Sequence, residues 1–282
     1  MKSNLLVYQT DFGLQDGAVS AMYGVALSVS KDLQIYNLTH EIPQYDIWEA
    51  SYRLVQTLQY WQMGTVFVSV VDPGVGSRRK SIVAKTKSGH YVITPDNGTL
   101  THIQENIGIA EIREIDESKN RLPNSGESYT FHGRDIYAYT GARLAAGIIT
   151  FEEIGATVDF DKIELLATMK IIEENNSVMG MIDILDVRFG NLWTNIKKEY
   201  FDRLDIKHEE HLMVTILNEN REVYNNEMVY VHSFAEVNIG ETLIYVNSLN
   251  NIGIAINQGS FARAYQIGTG EKWKIKIQKN SK

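Results

Sequence analysis

The first half of the chain alternates short apolar runs with longer segments of helical period. These segments are LLVYQT (5–10), AVSAMYGVALSV (18–29), QIYNL (34–38), a helix from Ile47 to Leu58, and TVFVSVV (65–71). In the helix from Ile47 to Leu58 the apolar side chains share one face, and Asp46 with Glu49 three residues later is typical of a helix start. Short strands that alternate with helices predict a parallel α/β domain.

After about residue 172 the pattern changes to short strands separated by turns. These strands are VMGMIDILDV (178–187), HLMVTIL (211–217), ETLIYVNS (241–248), IGIAINQG (252–259) and KWKIKIQ (272–278). In the last strand Trp273, Ile275 and Ile277 face the same way. A series of such strands predicts a small sandwich or barrel.

The boundary between the two patterns lies in a polar segment of weak period, ATMKIIEENNSV (167–178). All four prolines precede it. We therefore predict an N-terminal α/β domain over residues 1–168, a linker over 169–177 and a C-terminal domain over 178–282.

The composition narrows the classes of partner. Of 282 residues, 44% are hydrophobic and 22% charged, which is typical of a folded protein. The net charge of −8 argues against a nucleic-acid partner and favours a cationic ligand. The absence of cysteine excludes disulfides, thiolate chemistry and sulfur-bound zinc. The apolar stretch at the N-terminus is too short for a signal peptide and no apolar run spans a membrane, so we expect a cytoplasmic protein without a membrane partner.

Two predicted strands are followed by aspartates. Asp11 comes after the first strand, at the edge of an α/β sheet where ligands bind; its carboxylate can accept both hydroxyls of a ribose or cap the next helix. Asp72 ends the strand at 65–71 and precedes a Gly-rich turn toward Arg78 and Arg79. A carboxylate fixed by an arginine suits a site that orders water, although a strand-end Asp before such a turn is also a common structural device.

Two later segments carry weaker signals. His132 lies in the loop TFHGRD (130–135), where a structural and a functional role are equally consistent with the sequence. Asn191 follows a strand and a turn beginning at Asp186, and its amide can read the edge of an adenine. We assign Trp48, Trp61 and Trp193 to the core. The chain has neither a G-x-G-x-x-G fingerprint nor a phosphate-binding loop.

The motifs together resemble one family. They are TDFG (10–13), VVDPGVG followed by SRRK (70–80), ITPDNGTLT (93–101), TFHGRD (130–135) and RFGNLWTN (188–195). In this order they resemble the S-adenosylmethionine hydroxide adenosyltransferase family, whose relatives include fluorinase and chlorinase, from Asp11 to Gln258. The resemblance implies a Rossmann-like N-terminal α/β domain, a smaller C-terminal β-barrel, and a homotrimer with active sites at subunit interfaces.

The resemblance also implies roles for particular residues. A water-activating set maps to Asp72, Arg79 and His132, with Arg78 as the alternative arginine. Ligand-binding positions map to Asp11 (ribose hydroxyls), Tyr45 and Phe131 (beside the ligand), Asp186 (methionine ammonium), Asn191 (adenine), Phe234, Ser248 and the backbone near Gln258. Ser248 is followed by Leu249, where the halogenating relatives carry the arginine that meets the methionine carboxylate.

The implied activity is hydrolysis of S-adenosylmethionine to adenosine and L-methionine by water attack at the ribose 5′ carbon, with no cofactor or metal. A halogenase is disfavoured because halogenating relatives carry neutral residues in place of Asp72 and His132. They also carry an extra loop before the segment matching HYVITPDNG (90–98). The chain could also be a non-catalytic S-adenosylmethionine or adenosine binder, a metal hydrolase using Asp11, Asp72 and His132, or, less favoured, a methyltransferase.

Overall fold

The computed structural model describes residues 3–280. The chain divides between Leu166 and Ala167 into two compact units. The N-terminal unit combines a β-sheet with helices, and the C-terminal unit is a closed β-barrel. The chain is therefore a mixed α/β protein with its barrel in the C-terminal half, as the change of pattern near residue 172 predicted.

The N-terminal unit is built on a six-stranded sheet. Its strands are β1 (Leu5–Thr10), β2 (Gln34–Thr39), β3 (Val66–Val70), β4 (Ser81–Thr86), β5 (Tyr91–Pro95) and β6 (Ile109–Glu114). Its α-helices are α1 (Ala18–Val29), α2 (Ile47–Leu58), α3 (Thr101–Asn106) and α4 (Tyr139–Ala145). The strands lie in the order β2-β1-β3-β5-β4-β6, and β2, β1, β3 and β5 are parallel.

The expectation of a wholly parallel sheet is wrong for β4, which is antiparallel to both β5 and β6. Only residues 87–90 separate β4 from β5. So short a connection allows a hairpin but not the crossover that parallel neighbours need.

The predicted helix α2 has the expected bounds and the expected buried face. The Asp46 side chain accepts a hydrogen bond from the Glu49 backbone N–H and caps the first turn. Leu54, Val55 and Leu58 are buried against the sheet. Burial of this stripe, rather than helix propensity alone, stabilises so short a helix.

The connections of β1 create the place where a ligand can bind. From β1 the chain moves to β2 on one side and then returns past β1 to β3 on the other side. Residues following the carboxyl ends of two parallel strands diverge at such a switch point and leave a crevice between them. Thr10 and Val70 are paired in the parallel register, so Asp11 and Asp72 follow the two strand ends at this crevice.

The C-terminal unit closes seven strands into a ring. Its strands are β7 (Ile172–Glu174), β8 (Ser177–Leu185), β9 (Leu192–Lys197), β10 (His211–Asn218), β11 (Arg221–Tyr230), β12 (Thr242–Val246), β13 (Asn251–Ile256) and β14 (Trp273–Lys279), with helices α5 (Lys198–Arg203) and α6 (Phe261–Tyr265). The ring runs β8-β14-β10-β11-β12-β13-β9 and returns to β8. Ile275 and Ile277 of β14 are buried, as their alternation predicted.

Two features of the barrel differ from the sequence expectations. Part of the predicted linker over 169–177 forms β7, which pairs with β8 outside the ring. The sequence analysis does not predict the strand β11, because half of its sequence, REVYNNEMVY, is polar and the apolar residues do not alternate regularly. Only Tyr224, Met228 and Tyr230 of β11 are buried. In the part of the chain that the structure describes, no helix is long and apolar enough to cross a membrane.

Candidate active site

A pocket of about 300 Å³ lies at the carboxyl ends of β1 and β3. Five of the predicted site residues line it: Asp11, Tyr45, Asp72, Phe131 and His132. They come from four separate stretches of sequence, and the switch point of the sheet brings these stretches together. The remaining walls come from Phe12, Asp16, Ala18, Gln44, Val70, Val75, Thr130 and Gly133.

Asp72 and Arg79 form a two-pronged ion pair. Arg79 Nε donates to Asp72 Oδ1 at 2.7 Å, and Arg79 Nη2 donates to Asp72 Oδ2. The side chains are only 5% and 11% exposed, so the pair is shielded from solvent, unlike an ordinary surface salt bridge. Arg79, and not its exposed neighbour Arg78, is therefore the arginine that pairs with Asp72.

The turn that brings Arg79 back to Asp72 depends on one glycine. Gly76 has φ of +77°, and a Cβ there would lie 3.0 Å from the Tyr129 carbonyl oxygen. Glycine adopts this backbone conformation without strain and leaves room for the neighbouring chain. The Gly-rich sequence after Asp72 is thus needed to form the ion pair.

His132 joins the same cluster through its Nδ1 atom, which lies 3.2 Å from Arg79 Nη2. Burial lowers the pKa of His132, and the positive charges of Arg79 and Arg121 lower it further. A guanidinium only donates hydrogen bonds, so a neutral imidazole with an unprotonated Nδ1 fits this contact.

His132 directly precedes a π-helical turn, Gly133–Ala138, that continues into α4. Short π-helical turns occur frequently at functional sites. A Cβ at Gly133 would lie 3.1 Å from the Phe12 ring, so this residue must be small for the turn to approach β1. Close packing against Phe12 therefore explains why the residue after His132 is a glycine.

Asp11 lies in the same pocket, and its Oδ2 accepts the Tyr45 backbone N–H at 2.9 Å. Burial raises the pKa of Asp11, and the nearby Asp72 carboxylate raises it further, whereas the hydrogen bond from Tyr45 opposes both effects. Phe12 and Phe131 pack edge to face at 5.8 Å beside it. The pocket therefore combines three carboxylates, those of Asp11, Asp16 and Asp72, with apolar walls, which suits a cationic ligand bearing hydroxyls.

A second pocket, of about 890 Å³, lies in the C-terminal unit. Five of the other six predicted site residues line it: Asp186, Asn191, Phe234, Ser248 and Gln258. The sixth, Arg79, lines neither pocket and lies behind Asp72. They occupy the β8–β9 turn, the segment after β11, and the turns that precede and follow β13. This pocket is the more apolar and aromatic of the two.

Trp193 packs, partly buried, against a core cluster of the C-terminal unit, as predicted, and it also lines the second pocket. Its indole Nε1 donates to the Tyr245 hydroxyl at 2.9 Å. Tyr245 is hydrogen-bonded to the buried Asn191 side chain and packs 5.0 Å from the Phe234 ring. Tyr245 therefore organises three pocket residues.

The Asp186 side chain stabilises the turn between β8 and β9, which forms part of this pocket. Its Oδ1 accepts the backbone N–H groups of Arg188 and Phe189 at 3.0 and 3.2 Å. Gly190 has φ of +69°, and a Cβ there would meet Ser260 Oγ at 1.9 Å. The predicted turn with Asp and Gly in their usual places is confirmed, and the Asp186 carboxylate nevertheless lines the pocket.

The cluster in the first pocket differs from a metal site. The Arg79 guanidinium contacts both oxygens of Asp72 and Nδ1 of His132, so a positive charge already stands between these two residues. Within residues 3–280 no group of three or more potential metal ligands is arranged to hold an ion.

Two family models match the chain. The SAM hydroxide adenosyltransferase N-terminal domain matches residues 6–155, and the C-terminal domain of the same family matches residues 180–274. The chain belongs to the SAM hydroxide adenosyltransferase family. The first match covers the pocket with Asp72, Arg79 and His132, and the second covers the pocket with Asn191.

Individual relatives and a solved structure are also similar to this chain over most of its length. The chain is 39% identical over 221 residues to the (R)-S-adenosyl-L-methionine hydrolase of Methanocaldococcus jannaschii, covering 77% of this chain and 75% of the relative. It is 27% identical to a fluorinase of an Actinoplanes species, covering 94% and 95%. A crystal structure of an uncharacterized conserved protein from Thermotoga maritima superposes with a TM-score of 0.87 at 33% identity, covering 98% and 100%.

Proposed function

We propose that this chain hydrolyses S-adenosyl-L-methionine to adenosine and L-methionine. The main support is that Asp72 and His132 line one pocket of a SAM hydroxide adenosyltransferase and both contact the shielded Arg79 behind it. The relatives named as hydrolases add to it, with identities of up to 39%. A non-catalytic binder would leave this interlocked set without a purpose.

In the proposed reaction a water oxygen forms a bond to the ribose 5′ carbon while the bond from that carbon to sulfur breaks. The bonding electron pair goes to sulfur, so the sulfonium becomes the neutral thioether of methionine. The water loses one proton to the protein and then to solvent. Because the leaving group is good, alignment of water with the carbon–sulfur bond is the main requirement, and alignment can supply roughly 7–11 kcal/mol.

Asp72, Arg79 and His132 act as one coupled unit. Asp72 and His132 each have an oxygen or nitrogen that can accept the proton of water, and Arg79 fixes the distance between them. The Arg79 charge also stabilises hydroxide character as it develops on the attacking oxygen. No metal or cofactor is required, because S-adenosylmethionine itself supplies the positive leaving group.

The remaining predicted residues hold the ligand. In this proposal Asp11 accepts the ribose hydroxyls, while Tyr45 and Phe131 cover the ligand and Phe131 supports Phe12. Asp186 binds the methionine ammonium and Asn191 reads the adenine edge. Phe234, Ser248 and the backbone at Gln258 complete the second pocket. Aromatic faces near the sulfonium contribute roughly 0.5–2 kcal/mol each.

Hydrolysis is favoured over halogenation by the charge of the first pocket. A halide nucleophile brings a full negative charge beside the carboxylates of Asp11 and Asp72, which line the same small cavity. Two negative charges a few ångströms apart repel strongly where water is excluded. Water carries no charge and meets no such barrier.

We extend the proposal to a homotrimer with active sites at subunit interfaces, a Rossmann-like N-terminal domain and a cytoplasmic location. Two large apolar side chains that line the first pocket stay exposed: Tyr45 and Val75 are 68% and 40% exposed. Such apolar patches favour a protein partner.

Analytical ultracentrifugation should give three times the chain mass. Activity should return when Asp72→Asn protein is mixed with Asn191→Ala protein. A monomeric mass, or no return of activity on mixing, would contradict active sites shared between subunits.

The activity test is product analysis. Purified protein is incubated with S-adenosylmethionine in chelated, halide-free buffer, and in parallel with added chloride or fluoride. Adenosine and methionine should appear in equal amounts in all cases, and Asp72→Asn should abolish them. Recovery of intact S-adenosylmethionine, or of a 5′-halogenated nucleoside, would contradict the proposal.

A further inference from the structure

Behind the first pocket, a ring of contacts connects the catalytic cluster to a second ion pair. Arg79 Nη1 donates to Ser81 Oγ at 3.1 Å, and Ser81 Oγ donates to Glu117 Oε1 at 3.4 Å. Arg121 Nη2 donates to Glu117 Oε2 at 2.8 Å and lies 3.5 Å from His132 Nε2. His132 Nδ1 returns the ring to Arg79.

The ring places one arginine at each nitrogen of the His132 imidazole. Arg79 faces Nδ1 and Arg121 faces Nε2. Both guanidiniums are donors and carry a full positive charge. An imidazolium would direct its two N–H groups at these two cations, whereas a neutral imidazole offers one of them a lone pair. The geometry therefore opposes protonation of His132 from both sides.

We propose that Arg121, held in place by Glu117, is a positioning residue that keeps His132 neutral, so that the unprotonated Nδ1 accepts the hydrogen bond from Arg79 and holds the Asp72–Arg79 pair in place. This inference rests on the proposed function. It adds two positioning residues behind the catalytic set, neither of which lines the first pocket.

A purely structural role does not explain why an arginine stands at position 121. Its Nη1 atom is buried without a hydrogen-bond partner, which costs free energy that a smaller or apolar residue would avoid. The guanidinium lies 4.9 Å from the Tyr129 ring, and Tyr129 in turn packs edge to face against His132. Arg121 is thus held against the histidine by a carboxylate and an aromatic face together.

The charges around His132 have opposite effects on its pKa. Burial lowers that pKa most, Arg79 and Arg121 lower it further, and Glu117 and Asp72 raise it. Removing Arg121 should therefore raise the pKa of His132, and removing the charge of Glu117 should lower it. Loosening of the structure alone would move both variants in the same direction.

The test is an NMR titration of the His132 ring in the full-length protein without ligand, assigned with His132→Asn. We expect Arg121→Gln to move the titration upward by about one pH unit, Glu117→Gln to move it downward, and Arg121→Lys to leave it near the parent value. The matched control is Arg53→Gln, which breaks an ion pair of the same i,i+4 spacing with Glu49 in α2. It should not move the titration.

The acid limb of the kcat/KM profile should shift in the same directions, because activity needs neutral His132 and is lost as pH falls through its pKa. Shifts of Arg121→Gln and Glu117→Gln in the same direction, or shifts no larger than that of Arg53→Gln, would overturn the proposal. The titration does not depend on turnover. A chain that fails to hydrolyse S-adenosylmethionine but shows the opposite shifts would refute the proposed function and leave this inference standing.

Discussion

The two pockets differ in how their side chains are held. In the first, the ends of two central strands and one helical turn fix Asp72, Arg79 and His132 through mutual contacts of 2.7 to 3.2 Å. In the second, loops of the barrel present single amide, hydroxyl and aromatic side chains around a larger space of about 890 Å³. Chemistry needs the rigid arrangement, whereas recognition of a large ligand needs area and a few well-placed polar groups.

This contrast predicts that substitutions in the two pockets affect different kinetic constants. A residue that acts only in the transition state changes kcat, and a residue that binds substrate and transition state equally changes KM. Single substitutions in each pocket therefore test whether the first pocket controls kcat and the second controls KM.

The largest effect is expected for Asp72→Asn. The amide keeps the shape of the side chain but removes the negative charge that pairs with Arg79, so kcat should fall by about 10²–10⁴-fold with KM nearly unchanged. Steady-state chromatographic assays give both constants. Asp159→Asn, at an exposed pair with Lys162, is the control and should behave as the parent. A rise in KM at constant kcat would place Asp72 in binding alone.

In the second pocket, Asn191→Ala should raise KM roughly 10–100-fold and leave kcat within a few-fold, because a lost hydrogen bond to a buried polar group costs about 1–3 kcal/mol. Calorimetric binding of S-adenosylmethionine to Asp72→Asn protein, with and without Asn191→Ala, isolates this effect from turnover. Asn225→Ala on the exposed face of β11 is the control. A fall in kcat without weaker binding would contradict the division.

The turn of the second pocket should be sensitive to added volume. Gly190 and Gly240 both have positive φ, of +69° and +86°, but only at Gly190 would a Cβ collide with a neighbour, Ser260. Gly190→Ala should therefore lower the free energy of unfolding by about 1–3 kcal/mol more than Gly240→Ala, since both share the backbone strain. Denaturant unfolding measures the difference. If both variants lost the same free energy of unfolding, the turn at Gly190 would accommodate the added methyl group without a further energetic cost.

The remaining prediction concerns the pH dependence of stability. Burial lowers the pKa of His40 to about 4, and its ring accepts from Thr10 Oγ1 and contacts Asn37 Oδ1 just behind Asp11. The unfolded chain binds the proton near pH 6.5 and the folded chain only near 4. Stability that is present above pH 6.5 should fall between these values. His40→Asn should reduce this fall in thermal unfolding; an unchanged pH dependence would exclude His40 as its source.

Local pattern was enough to predict much of this structure. The first strands, α1 and α2, and the alternating strand β14 follow from apolar period. The family resemblance also predicted ten residues that line the two pockets, but not all of the lining residues. The elements that failed pair with strands next to them in the chain, but their sequences carry a weak strand pattern or a turn that was not recognised: β4 is antiparallel because its turn is short, β11 is half polar, and β7 forms where a linker was expected.

Other features required three-dimensional information. The choice of Arg79 over Arg78 depends on how the turn through Gly76 directs two adjacent side chains. Asp16 lines the first pocket, but its position before α1 was indistinguishable from an ordinary helix start. Arg121 and Glu117 lie outside every recognised motif, and only their distances to His132 and Ser81 reveal them. Tyr245 looked like a strand aromatic until its hydroxyl was placed between Trp193 and Asn191.

The central claim is attack of water on the ribose 5′ carbon. Its most direct test is turnover of S-adenosylmethionine in oxygen-18 water, followed by mass spectrometry of both products, with Asp72→Asn protein run in parallel. Water attack predicts one heavy oxygen at the 5′ position of adenosine, none incorporated into methionine by the reaction, and no labelled product from the variant. Unlabelled adenosine, or the label in a product cleaved at another bond, would contradict it.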